Sequence, residues 1–582
     1  MSEPTPPVPL PAPRARRRFP WPMLAGLLCG VALPAAAVAL MVGNSANHAR
    51  EPEKPQAPPE TPVAARQGDK KAPAPEFDEG LVWLNSAGPI SMKKDLKGKI
   101  VLLDFWTLCC INCIHVMPDL AKLEKKYANE LVVIGVHSPK FENEKDTASI
   151  RKAILRYQIE HPVVNDADHK VWNRYGVQAW PTLVLIDPEG NVLGELSGEG
   201  NYEILDRVIG KLVADHKEKK TLNEKPIRFD LARFRETGDT PLFFPGKVLA
   251  DEKSKRLFIA DSTHHRVVIT DLDGKFVAAA GTGEPGLTDG AFDKAQFHDP
   301  QGMALSGDTL YVADRKNHAI RELNLKEKTV RTVAGKGTQE FGVQTRFLDR
   351  PVPATSIGLN SPWDLLLDGD SLYVAMAGHH QIWVYDVKNK TVAPFAGSGR
   401  ETLGDGPPAF AHFAQPSGLA SDGKNLYVAD SETSSLRKVP LDGAGRVQTL
   451  VGRGLFVFGD RDGPGQDGGE ESKSEARMQH ALGVVYHDGL LYVADTYNSK
   501  VKVYDPRTRE LKTLVGGNEW GWLVPGDFNE PAGISYANGK LYVADTNAHR
   551  VRTIDLATKE VATLKLTGVE PPPPPKEPEP KK

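Results

Sequence analysis

The 582-residue sequence predicts a multidomain chain, an α/β domain followed by an all-β domain of six repeated units. Three observations carry this. Strand and helix patterns alternate over 76–217; helical periodicity disappears from about 226 to 567; and a short apolar core recurs six times in that second stretch. The length alone calls for two or three hydrophobic cores.

In the first domain, KIVLLDFW (99–106) and LVVIGVHS (131–138) read as buried strands. A helix follows from Cys110 to about Tyr127, with further helical patterns at 146–160, 168–175 and 202–217. TLVLIDPEGNVLGEL (182–196) reads as a hairpin turning at Pro188, Glu189, Gly190 and Asn191. Alternating elements closed by a hairpin predict an α/β sandwich.

In the second domain the core reads LFIAD (257–261), LYVAD (310–314), LYVAM (372–376), LYVAD (426–430), LYVAD (491–495) and LYVAD (541–545). Each copy follows a turn, such as Pro300-Gln301-Gly302, and precedes an alternating strand, such as AIRELNL (319–325). Four short strands repeated at this scale read as propeller blades, which must stack and close to bury both faces. Six copies predict six blades over 226–567. PIRFDLA (226–232) is expected to complete the last blade and join the chain ends. The recurring Asp261, Asp314, Asp430, Asp495 and Asp545 read as structural acceptors, and His265, His318 and His549 likewise. Met376 takes the Asp position in the third copy.

Residues 1–18 end in the basic cluster Arg14, Arg16, Arg17 and Arg18. Residues 19–43 carry no charge, and about 20 apolar residues suffice to span a bilayer. The basic flank places the N-terminus in the cytoplasm and both domains on the extracytoplasmic side of the cell envelope; a cleaved signal is the alternative. Residues 44–75 are a Pro-rich linker, and 568–582 a Pro-rich tail. Net charge is -3, with no basic stripe of the kind nucleic-acid binders carry.

Of four cysteines, Cys29 lies in the apolar run, and Cys109, Cys110 and Cys113 fall within five residues. This is one concentrated thiol site, not a disulfide framework. Cys110-Ile111-Asn112-Cys113 opens a helix directly after a buried strand. Unpaired N–H groups and the dipole at a helix N-terminus favour a thiolate and lower its pKa. Cys110 is expected to be exposed and to attack first, with Cys113 resolving the mixed disulfide. Zinc lacks a second cysteine pair, and Ile114 stands where haem attachment needs His. Copper is the serious alternative: Cys109 and Cys113 form a Cys-x-x-x-Cys pair that His115 or His137 would assist.

LLDFWTLCCINCIHVMP (102–118) resembles the thioredoxin-like superfamily. The resemblance implies that Asp104 is the buried proton acceptor for the resolving cysteine and that Phe105-Trp106 is the aromatic pair before the dithiol. Pro118 would be the helix-kinking proline. Trp180-Pro181-Thr182 would be the cis-proline loop that receives substrate backbone. Cys109 replaces the usual Trp before the nucleophile; with Trp106 and Thr182 it is a candidate modulator. The blades resemble NHL repeats, as in LYVADTNAHRVRTIDL (541–556). Together the two domains resemble the family of NHL repeat-containing protein 2. That resemblance implies a thiol–disulfide oxidoreductase acting on protein thiols and disulfides. Its redox centre is the Cys110–Cys113 disulfide, without another cofactor, and the propeller is a protein- or ligand-binding platform. A binding scaffold with a vestigial redox domain is the alternative. The Gly/Asp-rich loop 459–471 fits no EF-hand spacing and reads as solvated.

Overall fold

The structure, a computed structural model, describes residues 72–227, 229–231, 240–341, 350–466, 474–517 and 528–572. The expected membrane segment, residues 44–71 of the expected linker, Cys29 and most of the C-terminal tail lie outside the described residues, as does part of the 459–471 loop. The linker ends earlier than expected, because Ala72–Pro73 pairs with Asn191 and Val192 as an edge strand of the first domain. Among the described residues no helix is long and apolar enough to cross a membrane.

The first domain has β1 (Ala72–Pro73), β2 (Val82–Leu84), β3 (Ile100–Trp106), α1 (Ile111–Lys126), β4 (Leu131–His137), α2 (Thr147–Tyr157), β5 (Val163–Asn165), α3 (Lys170–Tyr175), β6 (Thr182–Ile186), β7 (Asn191–Ser197) and α4 (Tyr202–Glu218). The sheet order is β1-β7-β6-β3-β4-β5-β2. β3 sits centrally, parallel to β4 and antiparallel to β6. Every residue of β3 and β4 is buried, because helices and loops cover both faces. Val101, Leu103 and Phe105 feed one core; Ile100 and Leu102 feed the other with Val116, Leu120 and Leu123 of α1. This central strand delivers the chain to the dithiol.

Six sheets of four or five strands follow, one per repeat, forming a six-bladed β-propeller. The recurring aspartates are buried acceptors. One oxygen takes a backbone N–H from the segment entering the blade: Phe243 to Asp261, His298 to Asp314, Ala414 to Asp430 and Gln479 to Asp495, at 2.7–2.8 Å. The other oxygen takes a cation, such as Arg321 on Asp314 at 2.8 Å or Arg437 on Asp430 at 3.3 Å. In the third blade Met376 and Trp383 replace both partners of that pair. Met376 Sδ still accepts the Asn360 N–H, at 3.4 Å. The histidines latch neighbouring blades: with φ near 50°, His265, His318 and His549 each accept the next blade's backbone N–H at Nδ1.

The described residues of PIRFDLA (226–232) do not complete the last blade. That blade has its own outer strand, Val561–Thr563, and Ile227 and Phe229 pack against the α/β core instead. Closure comes from the other chain end. Phe276 N–H donates to Thr567 O at 2.9 Å, Thr567 N–H to Gly274 O at 3.0 Å, and Val569 is buried between the first and last blades. A strand-like stretch beside a filled sheet finds the nearest apolar surface. In the described part of the 459–471 loop, Asp460 pairs with Lys500 and Lys502, and Asp462 with Lys502.

Candidate functional site: a dithiol at a domain interface

Cys110 is the N-cap of α1. Its backbone is extended (φ -74°, ψ 113°), and its sulfur accepts the Cys113 N–H at 3.2 Å. The two-residue spacing produces this contact, since the N-cap side chain faces the first-turn amides. Cys109 and Cys113 are buried and Cys110 is half-buried. Trp180 packs against the same cluster, donates its Nε1–H to Ser138 O at 2.9 Å, and joins Pro181 through a cis peptide. Thr182 opens β6 opposite Phe105 and donates to Ala179 O at 2.8 Å. Trp106 is buried edge-on to His137, their ring centroids 4.8 Å apart.

Asp104 lies beneath, on the same central strand. Burial pushes its carboxyl up to about 7; His161 works against that shift and Glu124 adds to it. Asp104 Oδ1 has no hydrogen-bond partner among the described residues. His161 bonds Glu124 at 3.3 Å. Burial disfavours its charged form, but Glu124 and Asp104 outweigh burial and raise its pKa.

The propeller covers this site. Ile111 N–H donates to Gln415 Oε1 at 2.9 Å, and Gln415 Nε2 donates back to Cys109 O at 3.0 Å. Lys140 forms a buried ion pair with Glu432 and also donates to Glu432 O at 3.0 Å. Arg156 pairs with Glu530 at 2.8 Å. Phe141 packs on Phe458 at 4.6 Å and on Tyr497 at 5.5 Å. Ile111 and Ile114 of α1 enter an apolar cluster with Trp363, Ala377, Leu482 and Ala532.

Two expectations are corrected by that cover. Cys110 is half-buried, not exposed. Burial raises the pKa of all three thiols instead of the helix lowering it, and Glu401 and Glu432 add to the rise at Cys110. The Cys113 N–H still favours the Cys110 thiolate, but the Ile111 N–H is spent on Gln415. Local sequence shows the helix start and not the distant domain that dries it.

The histidines offered for copper lie elsewhere. His115 bonds Glu199 at 2.5 Å and Ser361 Oγ at 2.6 Å. His137 is buried under Trp106, and burial pushes its pKa down to about 3. The groups gathered at Cys109 are Glu432 and His480. Sequence reasoning missed these two, along with Gln415, Lys140 and Glu144. Glu144 accepts from Cys109 N–H at 3.0 Å and Thr107 Oγ1–H at 2.5 Å. The repeat pattern gives no signal at these positions, because each acts in a single blade or loop.

Fold and site together define a thioredoxin-like domain docked on an NHL-repeat propeller. The Thioredoxin-like family model matches residues 98–192, and the NHL repeat model matches 297–323 and 528–554. The chain is 43% identical over 497 residues to NHL repeat-containing protein 2 of Bos taurus, covering 79% of this chain and 66% of that protein. It is also 43% identical over 480 residues to Protein SUPPRESSOR OF QUENCHING 1, chloroplastic, of Arabidopsis thaliana, covering 79% and 44%. The thiol-disulfide oxidoreductase YkuV of Bacillus subtilis is 25% identical over 145 residues, covering 25% and 97%. The chain belongs to the family of NHL repeat-containing protein 2. It spans 66% of the Bos taurus protein and 44% of the Arabidopsis thaliana one.

Proposed function

We propose that the chain is a thiol–disulfide oxidoreductase whose Cys110–Cys113 couple works beneath the propeller. The observation that carries this reading is Cys110 as the N-cap of α1, holding the Cys113 N–H on its sulfur at 3.2 Å. A buried carboxyl poised near neutrality, Asp104, lies behind the resolving thiol. A base with its pKa near working pH both accepts and returns a proton.

In the reducing direction the Cys110 thiolate attacks a substrate disulfide and expels one substrate thiolate. A mixed disulfide with the other half remains. Cys113 passes its proton to Asp104 and attacks Cys110 Sγ, releasing the second substrate half as a thiolate. Two electrons move to the substrate, and the Cys110–Cys113 disulfide forms. The reverse sequence oxidises a substrate dithiol. Pro181 and Trp180 line the approach, and the propeller face positions the substrate, a protein thiol or disulfide.

The test is disulfide reduction by the reduced full chain, with insulin as substrate. Cys110→Ser should lower the rate by at least about 10³-fold. Cys113→Ala should retain the first attack and trap the substrate as a mixed disulfide. Full activity in Cys110→Ser contradicts the assignment.

A further inference from the structure

Cys109 has no role in the exchange just described, yet its surroundings are specific. It meets Glu432 and His480 in a fully buried cluster, one donor atom from each lying within 4.8 Å of the others. Cys109 comes from the thioredoxin-like domain. Glu432 sits in the short helical turn after the second strand of the fourth blade, and His480 in the segment entering the fifth. Two of the donor atoms lack hydrogen-bond partners among the described residues, Glu432 Oε1 and His480 Nδ1, which face each other at 3.7 Å. A buried polar atom without a partner is costly, and natural interiors rarely keep one. Here two such atoms point at each other beside a thiol.

We propose that Cys109 Sγ, Glu432 Oε1 and His480 Nδ1 bind a zinc ion that staples the thioredoxin-like domain to the propeller. The donor set is one sulfur, one nitrogen and one oxygen, the ligands zinc takes. Zinc–ligand bonds of about 2.0–2.1 Å put two tetrahedral N/O donors roughly 3.3 Å apart, so the 3.7 Å separation needs only a small closure. Three protein ligands leave a fourth position for water.

The surroundings serve such a site. Metal-bound imidazoles and carboxylates are held by a second set of hydrogen bonds. Tyr497 stacks on the His480 ring at 4.5 Å. Lys140 holds the other oxygen of Glu432, leaving Oε1 turned toward Cys109 and His480. With the Cys109 thiol, the Glu432 carboxylate and the Lys140 ammonium, the cluster is neutral without metal; zinc on the Cys109 thiolate takes it to +1. Without metal, Cys109 keeps its proton, because burial and the Glu144 and Glu432 carboxylates raise its pKa. Binding replaces that proton: Cys109–SH and Zn²⁺ give Cys109–S–Zn and a released H⁺. Cys110 and Cys113 stay free, so the staple and the exchange are separable.

The experiment is a metal titration of the reduced full chain with Zn(II) against a competing chelator, with bound metal counted by mass spectrometry. One zinc per chain is expected. Cys109→Ser and His480→Gln should each weaken binding by at least about 10-fold. The Cys110→Ser/Cys113→Ser double variant should bind as the unaltered chain does. Cobalt(II) supplies a readout that survives a folding defect in the single variants. In the unaltered chain and in the double variant it should show thiolate-to-cobalt charge transfer from a single sulfur. Three results overturn the proposal: no stoichiometric zinc and no cobalt charge transfer; zinc lost in the double variant but kept in Cys109→Ser; or Cu(I) held by Cys109 and Cys113 with His480→Gln without effect.

Discussion

Asp104 and Asp314 are both buried carboxylates on strands, one beneath the dithiol and one in the second blade. Asp314 is surrounded: one oxygen takes the His298 N–H, the other takes Arg321 and Asn317, each at 2.8 Å. Burial lifts its pKa to about 6, and those partners restrain the rise. Asp104 occurs once, leaves Oδ1 unpartnered among the described residues, and is lifted by burial to about 7. A buried acid that recurs with its partners belongs to the scaffold. One that stands alone beneath a buried thiol is what the proposed proton transfer requires. The same contrast separates the latch histidines of the propeller from His480.

The sharpest way to break this comparison is to strip a scaffold carboxylate of its cation. Arg437 is fully buried between Asp430 and Asp405. Arg437→Met should lower the unfolding free energy by about 3–5 kcal/mol in urea titrations. Disulfide exchange by the folded fraction should be unchanged.

Asp104→Asn should do the opposite. The folded pKa of Asp104, about 7, lies above the usual carboxylate value. The stability its protonated form contributes is therefore complete below pH ~4 and lost as pH rises through 7. Asn never ionises, so the variant should be more stable at pH 8, by up to about 4 kcal/mol, and unchanged at pH 4. Its exchange rate should fall by about 10²–10⁴-fold. Loss of stability at pH 8 would place Asp104 with the scaffold.

The third blade offers the finest test. Met376 and Trp383 stand where other blades carry a buried acid and cation, an exchange that buried ion pairs tolerate well. Met376→Asp alone should cost about 1–3 kcal/mol, as an unsatisfied buried group does. Adding Trp383→Arg should recover part of that loss in the same urea titration.

Much of this was legible locally. The strand-to-helix step at Cys110, the buried position of Asp104 and the six repeats follow from patterns within a few tens of residues. What was not legible depends on distant chain. Gln415 reaches Cys109 and Ile111 across some 300 positions, and nothing in its blade's repeat distinguishes it. The raised thiol pKa values have the same origin, because helix-terminus reasoning cannot see a domain that later excludes water. Ile227 and Phe229 misled for a related reason: an alternating apolar pattern states that a face is covered, not which domain covers it.

The most direct test of the central claim is a redox titration of the full chain in defined thiol–disulfide buffers, with free thiols alkylated and mapped by mass. Cys110 and Cys113 should titrate together as one two-electron couple, at a potential between about -270 and -120 mV, while Cys109 stays reduced throughout. A disulfide that includes Cys109, or a Cys110–Cys113 pair that fails to oxidise anywhere in that range, would contradict the account.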